Sequence, residues 1–371
     1  MSASTEEATG DEAVAELAAN FREFGEITSR KMPLYRRLCL GAAADLDVVR
    51  RVFLAKPAQR RVNLLLAAVH DLVLSGEDTP LAAWYASMTE APRAVGPGDD
   101  DPFPHFRTLV LEHPHVAERL ATRSTQTNEV GRCAALLPAV AGIAAEAGRP
   151  VGLVDVGTSA GLNLLLDRYE YHYEPGGHVG GPSSVRLAAK VIGDRPFPVP
   201  TSMPPIASRV GLDLHPVDIT DPAAVRWLVA CQWPDQLERL ERARGALEAA
   251  RADPPRILQG DAVDDLQAAI ATVPAAALPV VTSSWVMAYL PDDRQRAFIA
   301  QLDRVAARRD VSLVFAEAPI EVPGLPVPPG NRRSGGEHTT VLVRVDWRTG
   351  QRSVTHLANL YPHGTWIQWL A

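Results

Sequence analysis

DVGTSAGLN, residues 155–163, fits two patterns that exclude each other. Gly157-Thr158-Ser159-Ala160-Gly161 is G-x-S-x-G, the nucleophile elbow of a serine hydrolase. Asp155 and Gly157, followed by Gly161, also form the acidic, glycine-rich turn that closes the first strand of a nucleotide-binding sheet. On the first reading Ser159 is a nucleophile. On the second it is a small residue in a turn that holds a cofactor.

Upstream, residues 11–149 read as helical. Val14, Leu17, Ala18, Phe21 and Phe24 follow the spacing of an amphipathic helix, and more helices are expected over roughly 45–55, 59–75, 80–88 and 105–121. APRAVGPGDDDPFP (91–104) breaks this half, and Thr127 or Asn128 caps a long helix that stops at Gly148-Arg149-Pro150. Downstream, short apolar runs alternate with helical ones. VGLVDVG (151–157), SRVGLDLHP (208–216), PRILQGDA (255–262), LPVVTSSWVMAYLP (278–291) and VSLVFAEA (311–318) read as strands. GLNLLLDRY (161–169), the stretch from 221 to 251 and the stretch from 292 to 309 read as the intervening helices. TTVLVRVDW (339–347) and VTHLANLY (354–361) flank the turn RTGQ as a hairpin. The expected organisation is a tail over 1–10, an all-helical N-terminal domain over 11–149, and an α/β domain over 150–371. The α/β domain carries a mostly parallel sheet and an antiparallel C-terminal hairpin.

The chain of 371 residues is 46% apolar and 22% charged, which suits a sizeable core, and its net charge of −7 argues against nucleic acid or an anionic membrane as partner. Cys39, Cys133 and Cys231 are odd in number and widely spaced, so neither a disulfide framework nor a cysteine metal site is expected. MSASTEEATGDEA carries no targeting pattern, and the apolar runs are short or interrupted; a cytoplasmic protein is expected. These features leave the oligomeric state open.

A hydrolase elbow requires strands before it and an oxyanion loop. The upstream half reads as helical and lacks an HGGG-type motif, although Ser159, Asp261 and His338 supply the triad order. The cofactor reading finds acidic residues at successive strand ends: Asp155, Asp213 and Asp261. Ligands of open parallel sheets bind beyond those ends. The G-x-G-x-x-G spacing preferred for NAD and the G-K-[ST] of a P-loop are both missing.

VDVGTSAGLN (154–163), VGLDLHP (210–216), ILQGDA (257–262) and VVTSSWVMAYLP (280–291) resemble, in order, the motifs of the Rossmann-like S-adenosylmethionine-dependent methyltransferases, over roughly residues 150–318. The whole chain also resembles an uncharacterised, mostly actinobacterial family, which implies no activity. The first resemblance implies S-adenosylmethionine as cofactor. Asp155, Gly157, Thr158, Ser159 and Gly161 would form the turn at its methionine portion, Asp213 would hold the ribose, and Asp261 with Ala262 would line the adenine. Ser284 and Trp285 would stand at the pocket mouth. Residues 169–205 would be an insertion, a hairpin over the site, and 319–338 a lid or partner surface.

Methyl transfer is largely positioning, and a base is needed only where the acceptor loses a proton. STQTNEVGR (124–132) places Asn128 and Arg132 as substrate-binding groups, with Trp285; the alternative is a helix cap with a solvated first turn. Tyr289 and His338 are the candidate catalytic groups, against simple packing and a surface position. YEYHYEP (169–175) reads as an exposed hairpin strand or a substrate wall. His113 and His115 lack further ligand spacing, so no metal is expected. With no basic stripe, the expected acceptor is a small molecule. A non-catalytic cofactor- or partner-binding protein on the same fold, and a serine hydrolase using GTSAG, are the alternatives.

Overall fold

The computed structural model describes residues 10–318, 322, 325 and 339–371. The expected tail up to residue 9 and His338 lie outside them. By contact, the chain separates into Met1–Thr127 with Asp221–Glu241, and Asn128–Thr220 with Arg242–Ala371. Residues 128–149, grouped by sequence with the helical half, therefore belong to the unit that holds the sheet. Asp221–Glu241 belong to the helical one.

The helical unit is built on Asp11–Glu23, Pro33–Ala44, Leu46–Arg51, Val62–Leu74, Phe103–Glu112, Pro114–Thr122 and Pro222–Ala230. Asp45 and Asp221 cap two of these by accepting from Asp47 N and Val48 N, and from Ala223 N. The helix expected over 105–121 is two helices, because Pro114 has no N–H and disfavours helical backbone at His113. Residues 80–84 form a 3-10 turn rather than the expected α-helix. Phe21, Tyr35, Leu38, Leu64, Leu65, Phe106 and Trp227 share one core. His70 and Asp71, a polar break in an apolar run, stay in the buried helix because both are partnered. His70 Nδ1 lies 3.1 Å from the carbonyls of Ala230 and Gln232, and Asp71 pairs with Arg119 and Arg226.

The second unit holds one eleven-stranded, mostly parallel sheet. Its strands are β1 (Val151–Val156), β2 (Glu170–Glu174), β3 (Gly177–Val179), β4 (Arg186–Ile192), β5 (Ile206–Asp213), β6 (Arg256–Gln259), β7 (Leu278–Ser284), β8 (Val311–Glu317), β9 (Thr340–Arg348), β10 (Gln351–Leu360) and β11 (Trp366–Trp369). The order is β3-β2-β4-β11-β10-β9-β8-β7-β1-β5-β6. All five core strands expected from the sequence (β1, β5, β6, β7 and β8) are present and parallel, and β9–β10 is the antiparallel hairpin. β1 and β8 are buried along their whole length, as strands covered on both faces are. Phe298 and Leu302 of the helix Asp292–Ala306 share a core with Leu313 and Phe315 of β8.

Two expectations fail here. Residues 162–168 form a kinked 3-10 stretch, not an α-helix. Side chains take carbonyls that an α-helix would use internally: Tyr169 OH donates to Leu162 O, Tyr171 OH to Leu166 O and Arg209 Nε to Leu164 O. The insertion 169–205 does contain a hairpin, but its strands extend the sheet at the edge far from β6, through parallel pairing of β4 with β11. Tyr171 and Tyr173 point inward, so YEYHYEP is half-buried. Val130–Ala147 is apolar and long enough by composition to cross a membrane; 72% of it is buried within the protein, as in a core helix.

Candidate functional site

β1 pairs in parallel with β5 on one side and β7 on the other. After β1 the chain lays down β2, β3 and β4 at the far edge, then adds β5 and β6 on one side of β1 and β7 and β8 on the other, so strand order reverses beside β1. Crevices at such reversals, beyond the carboxyl ends, are where open α/β sheets bind ligands. The quoted turn closes this end of β1. Its amides are engaged within the protein: Gly157 N and Thr158 N donate to Leu212 O, Ser159 N to Asp213 Oδ2 (2.7 Å) and Gly161 N to Thr158 O. Gly157 has φ 70°, and a Cβ there would sit 2.3 Å from Val286 Cγ2.

A polar cluster surrounds this turn. Asp155 is buried and accepts from Thr282 Oγ1 at 2.7 Å. Burial pushes its carboxyl up to about 6; the nearby Asp213 charge adds to this, while the Thr282 hydroxyl and Arg132 oppose it. Arg132 is buried on the 3-10 turn Val130–Arg132, donating Nη1 to Ser284 Oγ (2.8 Å) and Nε to Pro362 O (2.9 Å). Its guanidinium lies 5.7 Å from the Trp285 ring centroid. Asn128 donates to Thr158 O at 2.9 Å. Glu317, fully buried at the end of β8, accepts from Val286 N and Met287 N and so fixes the turn that carries Trp285. Burial raises its carboxyl, against the backbone donors and Arg132. Asn128 Oδ1, Ser159 Oγ and Glu317 Oε2 are buried with no hydrogen-bond partner among the described residues. Such atoms are costly in a folded protein, and an ordered water or a polar ligand would complete their bonding.

The residues named from sequence thus fall into three sets. Asp155, Gly157, Thr158, Ser159, Asn128, Arg132, Ser284 and Trp285 are linked through this cluster. Asp213 sits at its rim, half-buried, with Oδ2 on Ser159 N and Oδ1 on His215 N (2.8 Å). Asp261 accepts from Val263 N and Asp264 N and pairs with Arg294, so it serves its own turn first; Ala262 packs beside the core next to it. Tyr289 is 64% exposed beyond the end of β7. Of the triad order Ser159–Asp261–His338, only the first two lie among the described residues. Asp261 is held by Arg294, and Ser159 Oγ has no partner among the described residues.

Sequence reasoning singled out Glu129 of STQTNEVGR but missed Glu317, Thr282 and His363, whose Nδ1 lies 3.0 Å from Glu129 Oε2. Glu317 had a signal: a lone carboxylate closing the apolar run VSLVFAE, as Asp155 does in VGLVDV. His363 had none, since it arrives from a loop 234 positions after Glu129. A groove of about 570 Å³ lies at the amino ends of β1 and β5, at Pro150 and Pro205. Arg149 is its single charged lining residue among the described ones, so it offers none of the convergent polar groups of the switch point.

The residues at the switch point fit a nucleoside-bearing ligand in part. Asp213 keeps unused lone pairs at the rim, and the orphaned acceptors lie further in. The space beside Gly157, however, is filled by Val286. A family model described as "Uncharacterized protein conserved in bacteria (DUF2332)" matches residues 18–369. No curated protein matches the chain. A solved structure described with the conversion of a disulfide bond into a thioacetal group during echinomycin biosynthesis is similar at 16% identity, over 62% of this chain and 76% of that one, with a TM-score of 0.25.

Proposed function

The chain belongs to this family of proteins conserved in bacteria, and from that premise we propose an enzyme that transfers the methyl group of S-adenosylmethionine to a small-molecule acceptor, in the cytoplasm. The observation that carries the reading is the group of buried polar atoms without a partner among the described residues, Asn128 Oδ1, Ser159 Oγ and Glu317 Oε2, around the carboxyl ends of β1 and β8. The bound cofactor would supply an electrophilic methyl group on sulfonium. Asp213 would accept from ribose hydroxyls with the lone pairs its two backbone donors leave, and Ala262 would border the adenine. Arg132, fixed by Ser284 and Pro362, would orient an anionic or polar acceptor beside Trp285 and Tyr289. A carboxylate acceptor would need no base.

Titration calorimetry with S-adenosylmethionine and S-adenosylhomocysteine tests this. Binding is expected, weakened at least about 10-fold in Asp213→Asn and lost in Asp213→Ala, a cost of about 1.4 kcal/mol or more. No heat with either ligand overturns the reading, and fluorophosphonate labelling of Ser159 would move it to the hydrolase. The second reading is a protein of the same fold that binds a cofactor or partner without chemistry; the closed turn, with its amides spent and Val286 against Gly157, supports the partner-binding form of it. Binding with no turnover across a broad acceptor panel would support that reading.

A further inference from the structure

Glu170, His172 and His178 lie on the β2–β3 hairpin, apart from the switch point. Glu170 and His172 are two residues apart on β2, which places both side chains on one face. His178 is the register partner of His172 across the hairpin, and their rings stand 4.8 Å apart. Both imidazoles turn the same nitrogen toward one carboxylate oxygen. His172 Nε2 is 2.8 Å and His178 Nε2 is 3.4 Å from Glu170 Oε1. One ligand atom from each of the three residues lies within 4.8 Å of the others. Arg186 Nε holds the second oxygen of Glu170 at 3.0 Å, leaving the first to the histidines.

Ordinary packing does not call for this convergence. Half-exposed histidine–glutamate pairs contribute little to stability. The separations suit a metal ion. In a tetrahedral zinc site, bonds of about 2.0–2.1 Å place neighbouring ligand atoms roughly 3.3 Å apart, a value between those of the two nitrogen–oxygen pairs. The donor set, two imidazoles and a carboxylate, also suits zinc rather than magnesium or calcium. We infer that Glu170, His172 and His178 bind a zinc-class divalent ion with a fourth, solvent-facing position. The ion clips β3, a three-residue edge strand, to β2. This revises the sequence expectation of no metal.

The test is zinc titration of the chelator-treated full chain, by calorimetry and by competition with a chromophoric chelator, with cobalt absorption reporting coordination geometry. One ion per chain and a tetrahedral cobalt spectrum are expected. His172→Ala, His178→Ala and Glu170→Gln are each expected to weaken binding more than about 10-fold, while circular dichroism shows the fold retained. The double variant His113→Ala/His115→Ala removes the other paired histidines and should bind as the parent does. Absence of binding, or binding that survives all three hairpin variants, overturns the inference; so does binding lost in the His113/His115 variant instead.

Discussion

Ser159 sits at φ 54°, a left-handed position that L-residues enter at a cost of roughly 1–2 kcal/mol, and its hydroxyl is buried without a partner among the described residues. A side chain kept only for packing gains nothing from that oxygen. Ser159→Ala is therefore expected to leave stability unchanged or raise it by up to about 1 kcal/mol in urea denaturation, since a buried unsatisfied hydroxyl costs about 1–3 kcal/mol. A loss above about 2 kcal/mol would mean the hydroxyl is bonded in solution. Gly157 is the opposite case. Gly157→Ala adds a methyl 2.3 Å from Val286 Cγ2 at φ 70°, and left-handed strain with overpacking should cost about 2–4 kcal/mol in the same assay. The two glycines of the quoted motif were legible as necessary. Their reason was not, because Val286 lies 129 positions after Gly157, and Pro255 and Ile257, which crowd Gly161, are likewise brought there only by the fold.

At the scale of elements, the alternation of apolar runs and helices was enough to find the core strands β1, β5, β6, β7 and β8; β1, β7 and β8 are buried nearly throughout and read as continuous apolar sequence, whereas β5 and β6 are only partly buried. It misread 161–169, where the local spacing is helical but Tyr169, Tyr171 and Arg209 capture the backbone carbonyls. It also set the insertion over the site, because which strand an added hairpin joins depends on a distant edge, here β11. Carboxylates inside the buried strands have a measurable consequence. The folded-state carboxyl of Asp155 is raised from 3.8 to about 6, so it holds its proton more tightly than the unfolded chain does. Its contribution to stability is fully present below about pH 4 and is lost as pH rises through 6, a change on the order of 3 kcal/mol. Asp155→Asn removes that dependence. Measured against the parent by thermal or denaturant unfolding, its relative stability should climb between about pH 4 and pH 7 and then level off. A flat difference would mean that Asp155 is ionised at no cost.

For the whole molecule, the sequence placed the change of character near residue 150. The helical unit instead ends at Thr127 and regains Asp221–Glu241 from later in the chain. Nothing local marks this, since 221–241 is helical sequence wherever it belongs. The unit depends on the returning segment through specific contacts. Trp227 is buried in its core and donates Nε1 to Ser124 O at 2.9 Å. His70 needs the carbonyls of Ala230 and Gln232, and Asp71 needs Arg226. Residues 1–127 alone would keep these buried polar groups and lose those partners, which costs about 1–3 kcal/mol for each uncompensated group in addition to the missing Trp227. The fragment 1–127 is therefore expected to show helical circular dichroism but no cooperative thermal transition. Trp227→Ala in the full chain should cost about 3–5 kcal/mol. A sharp, reversible transition in the isolated fragment would show that the helical unit is closed without Asp221–Glu241, and that the later segment docks on a domain already complete.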